Sequence, residues 1–501
     1  MNSRREFLFR APALVGLWRK TDRAISGGFV NDSFATGHRV RDHAAFAAPK
    51  RQVRVPLVIV GGGMAGLNAA WYLQKRGFRD FVLLEMEQQA GGNSRSGQNE
   101  ITRFPWAAHY VPVPAKGESL ARELFEELGI FRNGVWDERM LCFDPQERLF
   151  INGHWQEGIE PHDGAPSGDR AQYRRFNEQM AGFRGSGQFT IPMERGARAS
   201  QLDRMSMAEW MAQQQFDSPY LRWYVNYACR DDYGALAKDT SAWAGVQYFA
   251  SRDPEEKGPL TWPEGNGWIA TRLIEKLRPY LRTGSVVYHV ARADNKLRLL
   301  TEDTEYLAEA VIWAAPTFLA HYIVEDAPAA AGFEYSPWLT ANLTLDRIPN
   351  QKGSETAWDN VIYDSPALGY VNARHMNLAT HVNRTVWTFY WSLAEHPPAE
   401  ARKLLLSRSW GDWKEAILND LSRAHPDIRQ CVTRVDIMRL GHAMVRPRPG
   451  FLFSEDRERW LRPLGNMYFA NSDLSGFSIF EEAQYRGVEA AAAALRRLSR
   501  A

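Results

Sequence analysis

The sequence has few cysteines and no long apolar run. Cys142, Cys229 and Cys431 are widely separated and match neither a zinc-binding pattern nor a C-x-x-C redox pair. No apolar run reaches about 18 residues, the length that a membrane-spanning helix needs, so no transmembrane segment is predicted. His375 and His381 lack companion ligands at metal-binding spacing, so no metal is predicted. No internal repeat is present, which excludes a repeat architecture.

Charge is nearly balanced over the 501 residues, with a formal net charge of +2, but it is unevenly distributed. Residues 1–54 contain 11 basic and 4 acidic residues, whereas the remainder contains 50 and 55. The body of the protein is therefore mildly acidic, and no nucleic-acid partner is predicted. Its length and its hydrophobic content of 45% are typical of a globular protein of two or three domains.

The basic N-terminus resembles an export signal. Residues 3–8 read Ser-Arg-Arg-Glu-Phe-Leu, as in the twin-arginine motif, and a short apolar stretch follows at 11–18. Small residues at 45–48 are suited to cleavage. The sequence therefore predicts a leader and linker over 1–54 and a periplasmic protein. The alternative is a cytoplasmic protein with a basic tail that has no targeting role.

A strand, a glycine turn and a helix follow this segment. Val55–Val60 predicts a buried strand, and Leu67–Arg76 predicts a helix. Between them, Gly61, Gly63 and Gly66 have the spacing G-x-G-x-x-G. In a dinucleotide-binding turn these glycines permit the sharp turn, the approach of a pyrophosphate and close helix–strand packing. The N–H groups at the helix start, around Met64 and Ala65, are then available to phosphate oxygens.

A second predicted strand, Phe81–Leu84, completes a βαβ unit and ends at Glu85. An acidic residue at this distance from the glycines accepts hydrogen bonds from an adenosine ribose. The alternative is a surface glycine loop followed by a chance carboxylate. NAD and FAD both bind to this frame, so the βαβ unit alone does not identify the cofactor.

In the rest of the chain, segments with the apolar spacing of helices alternate with segments that are typical of strands. Apolar spacing and capping signals predict helices and strands along its length. The predicted helices are 117–130, one opening at Ser206, Trp268–Leu277, Trp410–Leu421 and Glu481–Leu498. The predicted strands are Ser285–Tyr288, Leu297–Leu300, Val311–Pro316, Thr385–Trp391 and Asn466–Ala470.

Four segments together resemble the flavin-containing amine oxidase superfamily, which includes protoporphyrinogen oxidases and carotenoid desaturases. The first is the glycine turn with Glu85, and the second is Gly91-Gly92, six residues after that glutamate. The third is the loop and helix at Gly265–Leu277, followed by Val286-Val287 and by Ala314-Ala315-Pro316. The fourth is Tyr468–Asp473 with the residues that follow it.

The resemblance implies non-covalent FAD and assigns further residues to it, because two distant segments match one flavin site. Arg95, two positions later than the family's arginine, is expected to take that arginine's place near the pyrophosphate. The Val287 backbone is expected to contact the adenine, and Asp473 the ribityl chain. Glu482 replaces a family glycine near the flavin ring. The implied cofactor site also contains Gly91, Gly92, Asn93 and Ala483.

The implied fold class is α/β. An FAD-binding Rossmann-like domain of the glutathione-reductase type carries a mixed α+β substrate domain inserted in its sequence. We expect the FAD-binding domain to comprise 55–130, 260–330 and 431–501, and the substrate-binding domain to comprise 131–259 and 331–430.

The implied activity is that of an FAD-dependent oxidoreductase of the amine-oxidase type. It would remove a hydride from an amine, or from an unsaturated or alicyclic small molecule, with oxygen or a different compound as electron acceptor. The alternatives are a flavin-dependent desaturase or isomerase that does not use oxygen, and a non-catalytic exported flavoprotein. Many family members place a lysine near the flavin, and Lys352, in a polar loop, is a poor match for it.

Catalytic residues are indicated only by their position along the chain. The stretch Arg103–Tyr110 follows the Gly-Gly pair closely, so His109 and Tyr110 are candidates for the pocket floor, and core packing is the alternative. His442 precedes the last flavin segment and is a candidate acid or base. Steering of a polyamine is a candidate role for Asp231, Asp232 and Glu264, and solvated surface carboxylates are the alternative.

Overall fold

The computed structural model describes residues 24–30, 33–114, 119–196, 200–252, 258–378 and 383–500. The twin-arginine-like motif, the apolar stretch after it and His381 lie outside these ranges. Within the described ranges, none of the helices has the length and apolar character needed to cross a membrane.

The strands, numbered in chain order, are β1 (Ser26–Phe29), β2 (Arg51–Val60), β3 (Phe81–Leu84), β4 (Ser96–Gln98), β5 (Arg103–Pro105), β6 (Tyr110–Val111), β7 (Phe131–Arg132), β8 (Val135–Trp136), β9 (Glu147–Ile151), β10 (His154–Glu157), β11 (Leu260–Thr261), β12 (Leu281–Arg282), β13 (His289–Ala293), β14 (Lys296–Leu300), β15 (Thr304–Trp313), β16 (Tyr335–Leu345), β17 (Asp359–Ile362), β18 (Gly369–Asn372), β19 (Thr385–Trp391), β20 (Val432–Val445) and β21 (Met467–Phe469).

The α-helices, numbered in the same way, are α1 (Phe34–Arg41), α2 (Met64–Lys75), α3 (Ser119–Glu127), α4 (Ser167–Gly185), α5 (Ser200–Asp203), α6 (Met207–Gln213), α7 (Pro219–Tyr233), α8 (Ala242–Ala250), α9 (Gly267–Leu277), α10 (Thr317–Ile323), α11 (Pro398–Ser407), α12 (Trp410–Leu421), α13 (Ile428–Cys431), α14 (Glu455–Trp460) and α15 (Phe480–Leu498).

The first sheet is the scaffold of the dinucleotide-binding domain. Its order is β12-β3-β2-β15-β14-β13, with β21 also paired to β15. The strands β12, β3, β2, β15 and β21 run parallel, and β13, β14 and β15 pair antiparallel. Along β2, Leu57 and Ile59 join the core formed with α2, α9 and α15, whereas Val58 and Val60 join the core on the other face. Both faces of the strand are therefore covered.

The second sheet has the order β1-β20-β16-β19-β18-β17-β9-β10. Its pairs are antiparallel except for β1 with β20 and β9 with β17. One face packs against α12, where Trp413 and Ile417 share a core with Leu343 and Phe389. β16 also contacts the first sheet's side of the molecule, because the Tyr335 hydroxyl donates to Asp473 in the loop after β21.

The many aromatic residues and few clean strand patterns of residues 131–259 predict a mostly helical region. Helices α4–α8 occupy its part from 167 to 250, whereas β7–β10 lie before residue 158. The predicted capping box at Ser206 is present, because its side chain accepts from Glu209 N–H and the Glu209 carboxylate accepts from Ser206 N–H. Trp210 and Trp243 pack in the same core as Val58 of the first sheet. This region therefore rests directly on the dinucleotide-binding domain.

The predicted fold class is confirmed, and several elements match closely. The strands Phe81–Leu84 and Thr385–Trp391 and the helix Trp410–Leu421 have the predicted limits. The predicted strand Ser285–Tyr288 is wrong, because Ser285 N–H donates to Glu85 O, in the loop after β3, whereas Tyr288 N–H donates to Leu300 O on β14. None of these four residues belongs to a ladder.

The structure differs from the predicted domain limits at two places. β20 falls inside the predicted 431–501 segment of the FAD-binding domain, but it pairs with β16 in the second sheet. β1 and α1 fall inside the predicted leader and linker, yet both pack on the body of the protein. Neither placement could be inferred from local periodicity, because both depend on partners distant in sequence.

Candidate active site

One large cavity lies where the two sheets meet, with a volume of about 430 Å³. Four loops that follow parallel strands line it, and these are 61–65 after β2, 85–86 after β3, 314–316 after β15 and 471–473 after β21. Ligands of open α/β sheets bind in the crevice at the carboxyl ends of their strands. The position and volume are therefore those of a ligand site.

The glycine turn has the geometry that its sequence predicts. Gly61 has φ +107°, and a Cβ atom on Gly66 would lie 1.9 Å from the Gly61 carbonyl oxygen. Gly63 begins α2 without a side-chain cap, and Gly92 lies close against it. Gly66 is not a lining residue, which agrees with its predicted packing role, whereas Gly61 and Gly63 line the cavity. Met64, Ala65, Gly91, Gly92 and Asn93 also line it.

Glu85 lines the cavity and is held in place by backbone groups. Its carboxylate accepts from Gly62 N–H at 2.7 Å and from Glu87 N–H at 2.8 Å. Burial raises the pKa of Glu85, and these two hydrogen bonds oppose that shift. Val287, the predicted adenine contact, lines the same cavity.

Asp473, from the last flavin segment, lines the same cavity as Gly63. Its Oδ2 atom accepts from Thr317 N–H at 3.0 Å and from the Tyr335 hydroxyl at 2.7 Å. Burial raises the pKa of Asp473, while these hydrogen bonds lower it. The early and late segments, more than four hundred residues apart in sequence, thus meet at one groove. Ala483, on α15, also lines it.

Two predicted cofactor residues do not reach the cavity wall. Arg95 turns back, and its Nε donates to Gly92 O at 3.1 Å. Glu482 is fully buried and accepts from Met193 N–H at 2.6 Å. On helix α15, Glu481 and Ala483 line the cavity. Glu482 projects about 100° away from each of them and faces the helical region instead.

The cavity wall contains polar groups that lack a protein partner. Trp313 Nε1, Trp338 Nε1 and Thr340 Oγ1 are buried and make no hydrogen bond within the described part of the protein. Buried polar groups are nearly always paired, so these atoms indicate a polar ligand. The glycine turn, Glu85 and Asp473 lie along the groove, and these unpaired groups lie in its wall, so the residues present fit an elongated dinucleotide such as FAD.

Aromatic rings enclose the part of the cavity beyond this groove. The His109 ring stacks on Tyr390 with centroids 4.6 Å apart, and Tyr110 meets the edge of Trp358 at 5.7 Å. Burial lowers the pKa of His109 to about 4, so this imidazole is neutral at physiological pH. His109 Nδ1 lies 3.2 Å from Ala107 O, to which it donates in the matching tautomer. Trp106 packs on Phe104 instead and does not line the cavity.

A second chamber of about 210 Å³ adjoins the aromatic walls. The two cavities share several lining residues, among them His109, Tyr110, Asp231, Tyr248 and Arg252. Glu147 and Asp359 line only the second chamber. These two carboxylates are directly opposite each other in the parallel pair β9–β17. Like charges at such positions destabilise a sheet.

Carboxyl groups outnumber cationic groups in the second chamber. Burial and then the Glu147 carboxylate raise the pKa of Asp359, whereas Glu147 itself is exposed. Burial and then the Asp232 carboxylate raise the pKa of Asp231 to about 7. Arg252 is the one arginine or lysine among the described lining residues, and its Nη2 lies 3.2 Å from Asp232. A cationic ligand would therefore relieve this repulsion.

The remaining candidates are spread out. The exposed His442 ring lies at the cavity and stacks on Phe318 at 4.2 Å. Glu264 is buried beside Arg103, 3.0 Å away, and is not a lining residue. Lys352 is exposed, and the described lining residues include no lysine. No local pattern in the sequence points to Glu147, Asp359 or Arg252, because the fold alone brings them beside Asp231.

Comparisons with known proteins agree with this geometry. A sequence model of the family described as flavin containing amine oxidoreductase matches residues 64–495. No curated protein matches the chain. The fold is similar to that of wild-type putrescine oxidase bound to putrescine, with a TM-score of 0.69, 16% identity, and coverage of 89% of this chain and 100% of that chain. It is also similar to cyclohexylamine oxidase from Brevibacterium oxydans IH-35A, with a TM-score of 0.67, 15% identity, and coverage of 89% and 99%.

Proposed function

Because this chain belongs to the family of flavin-containing amine oxidoreductases, we propose that it oxidises an amine that carries a second positive charge. The protein is an FAD-dependent oxidoreductase of the amine-oxidase type. In this proposal the reacting C–N bond lies in the main cavity, between the dinucleotide groove and the aromatic walls. The distal ammonium group lies in the second chamber, beside Glu147 and Asp359.

The pair Glu147 and Asp359 is the observation that carries this proposal. Two carboxylates that face each other on neighbouring strands cost stability, and a cation bound between them offsets that cost. The aromatic rings around the chamber, Tyr227, Tyr248 and Trp358, add favourable faces for an ammonium group. Putrescine, the ligand named for the similar structure, is a diamine of this kind.

Bound FAD would supply an acceptor for the hydride equivalent that leaves the carbon next to the reacting nitrogen. The protein's own residues bind and orient the substrate. The carboxylates of the second chamber fix its distal end, and the neutral His109 ring adds no positive charge that would repel it. Loss of the hydride and of one N–H proton leaves a C=N bond, which water then hydrolyses to an aldehyde and either ammonia, from a primary amine, or a smaller amine, from a secondary one.

An anaerobic reduction assay tests the proposed substrate. Purified holoprotein is mixed with linear diamines, polyamines and monoamines of matched chain length, and the flavin absorbance is followed. Porphyrinogens, polyenes and amino acids complete the panel. We expect diamines or polyamines to bleach the flavin with an apparent dissociation constant at least about tenfold lower than that of the matched monoamine. Equal constants for the two classes would refute the role of the second chamber.

Variants of the chamber sharpen this test. Asp359→Asn and Glu147→Gln each remove one charge, and we expect each to weaken diamine binding by about five- to tenfold while monoamine reduction stays unchanged. Glu178→Gln, which neutralises an exposed carboxylate on α4, is the matched control.

Readmission of air to the reduced protein then tests which compound is the electron acceptor. Rapid oxygen consumption with peroxide formation would identify the acceptor as oxygen. A desaturase or isomerase would turn over without it.

We also propose that the protein is exported to the periplasm. The support is the sequence Ser-Arg-Arg-Glu-Phe-Leu at residues 3–8 and the basic character of residues 1–54. Cell fractionation tests this, with Arg4→Lys/Arg5→Lys as the variant that removes the twin-arginine pair. Cytosolic protein in the wild type would contradict export.

A further inference from the structure

The segment before the dinucleotide-binding strand is attached to the second sheet. β1 pairs in parallel with β20, from Ser26 opposite Arg434 to Phe29 opposite Ile437. Val30 N–H extends this ladder by donating to Ile437 O at 2.9 Å. A Cβ atom on Gly27, whose φ is +137°, would lie 1.9 Å from Val435 O. Only glycine therefore permits this close pairing.

Side chains extend the attachment to the following helix. The Arg439 guanidinium lies 3.8 Å from the Phe29 ring centroid and 5.4 Å from that of Phe34. β1 and α1 are therefore held to the same residue of β20. Beyond α1, Phe46 stacks on Tyr288 at 4.4 Å, just after Val286 and Val287 on the cavity wall.

Helix α1 forms part of the cavity wall. Gly37 and Val40 line the main cavity, and Val40 is buried in the same core as Val60. α1 packs against α10, and the Ser33 hydroxyl donates to the Glu87 carboxylate. Glu87 in turn donates its N–H to Glu85, the predicted ribose contact. This wall thus belongs to the nucleotide half of the cavity.

We infer that β1 and α1 form an N-terminal clasp that retains FAD. The inference rests on FAD occupying this cavity and concerns its release, not the oxidation of substrate. The clasp joins the second sheet to the nucleotide half of the cavity, so a bound nucleotide cannot leave on that side without displacing α1. By linkage, FAD must stabilise the docked clasp by the same factor with which the clasp stabilises bound FAD.

Two glycines in β1 provide a matched pair of variants. Gly27→Ala introduces a Cβ atom that collides with Val435 O, whereas a Cβ atom on Gly28 meets nothing within 4 Å. We expect Gly27→Ala holoprotein to release FAD at least about tenfold faster than wild type, measured by the rise in free-flavin fluorescence on dilution. Gly28→Ala is expected to match wild type. If both variants released FAD at the wild-type rate, the inference would be overturned.

Hydrogen exchange supplies a readout that does not depend on activity. We expect amides of 34–41 to exchange faster in wild-type protein from which FAD has been removed, and to regain protection when FAD is added back. Val40→Ala, a milder change in the wall, should show intermediate release. Exchange in α1 that is indifferent to FAD would also overturn the clasp. Wild-type protein that binds no FAD at all would instead refute the assigned cofactor.

Discussion

Among the carboxyl groups of the two chambers, Asp231 combines burial with close neighbours of the same charge. Burial and the Asp232 carboxylate raise its pKa to about 7, and Arg252 opposes this shift only in part. A carboxyl group with a raised pKa destabilises the folded protein progressively as pH rises toward that pKa, because the native state holds a proton that the unfolded state has lost. Such a cost is consistent with a site kept for binding a cation.

The variant Asp231→Asn tests the role of Asp231 in diamine binding and its effect on protein stability in two separate measurements. As the pH rises from about 6 to about 8, wild-type Asp231 ionises, and we expect the ratio of variant to wild-type KM for a diamine to rise about tenfold. The stability of the variant relative to wild type in urea should instead rise between about pH 4 and pH 7, where folded Asp231 holds a proton that the unfolded chain has lost, and change no further above pH 7. A pH-independent KM ratio would show that Asp231 does not contact the bound cation, with Glu178→Gln as the control.

Tyr335 acts on the proposed cofactor site through Asp473. Tyr335→Phe removes the 2.7 Å hydrogen bond to the Asp473 carboxylate and leaves the donor from Thr317 N–H. We expect FAD affinity, measured by titration of the FAD-free protein, to fall about fivefold, since such a bond contributes about 1 kcal/mol. Tyr72→Phe on α2 is the matched control. Unchanged affinity in Tyr335→Phe would argue against contact between Asp473 and the cofactor.

At the residue scale, sequence motifs predicted the residues of the dinucleotide groove far better than those of the second chamber. Gly63, Glu85 and Asp473 were predicted from motifs in which each residue type has a defined role toward a dinucleotide. Glu147 and Asp359 belong to no motif, and only the parallel pairing of β9 with β17 places them opposite each other. Arg95 was expected at the pyrophosphate, but the short turn before it directs its guanidinium back to Gly92 O.

At the element scale, the contact between α2 and α15 holds the early and late cofactor segments together. A Cβ atom on Gly487 of α15 would lie 2.2 Å from the Ala65 carbonyl oxygen of α2. Ala65 and Ala483 both line the cavity, so the spacing of the two helices sets the width of the groove. An overpacked contact at this point must move backbone, because no flexible side chain is available to yield.

Two Gly→Ala substitutions should therefore change the free energy of unfolding in opposite directions. Gly487→Ala is expected to lower the free energy of unfolding by about 1–3 kcal/mol and to weaken FAD binding. Gly182→Ala, in α4, adds a Cβ atom that meets nothing within 4 Å. It should raise that free energy by about 0.5–1 kcal/mol. Urea denaturation of both variants provides the comparison, and equal effects would contradict the packing argument.

Elements with strong periodicity were predictable, and elements that depend on distant partners were not. β19 is a continuous run of seven β-branched and aromatic residues, and α12 shows a helical period over twelve residues, so the limits of both followed from the sequence. β1 is the sequence Ser-Gly-Gly-Phe, a poor strand former, and its partner lies some four hundred residues later on β20. Ser285–Tyr288 has strand-like composition, but its first three residues line the cavity and none of the four joins a ladder.

At the scale of the whole molecule, the clasp restricts how an exported chain can mature. The small residues at 45–48 were predicted to permit cleavage, yet β1 and α1 precede them and contribute to the core and the cavity wall. Removal of residues 1–48 would expose the edge of β20 and the ring of Tyr288, on which Phe46 stacks. An exposed edge strand is a site for aggregation.

We therefore expect the proposed export to leave β1 and α1 in the mature protein, with its N-terminus before Ser26. Intact mass and N-terminal sequencing of protein from the periplasmic fraction test this. Chains that begin at residue 24 and at residue 49 supply the functional comparison, because the first keeps the clasp and the second lacks it. The shorter chain should lose FAD at least about tenfold faster on dilution, in line with Gly27→Ala. A native N-terminus at 46–49 with tightly bound FAD would mean that the cavity closes without α1.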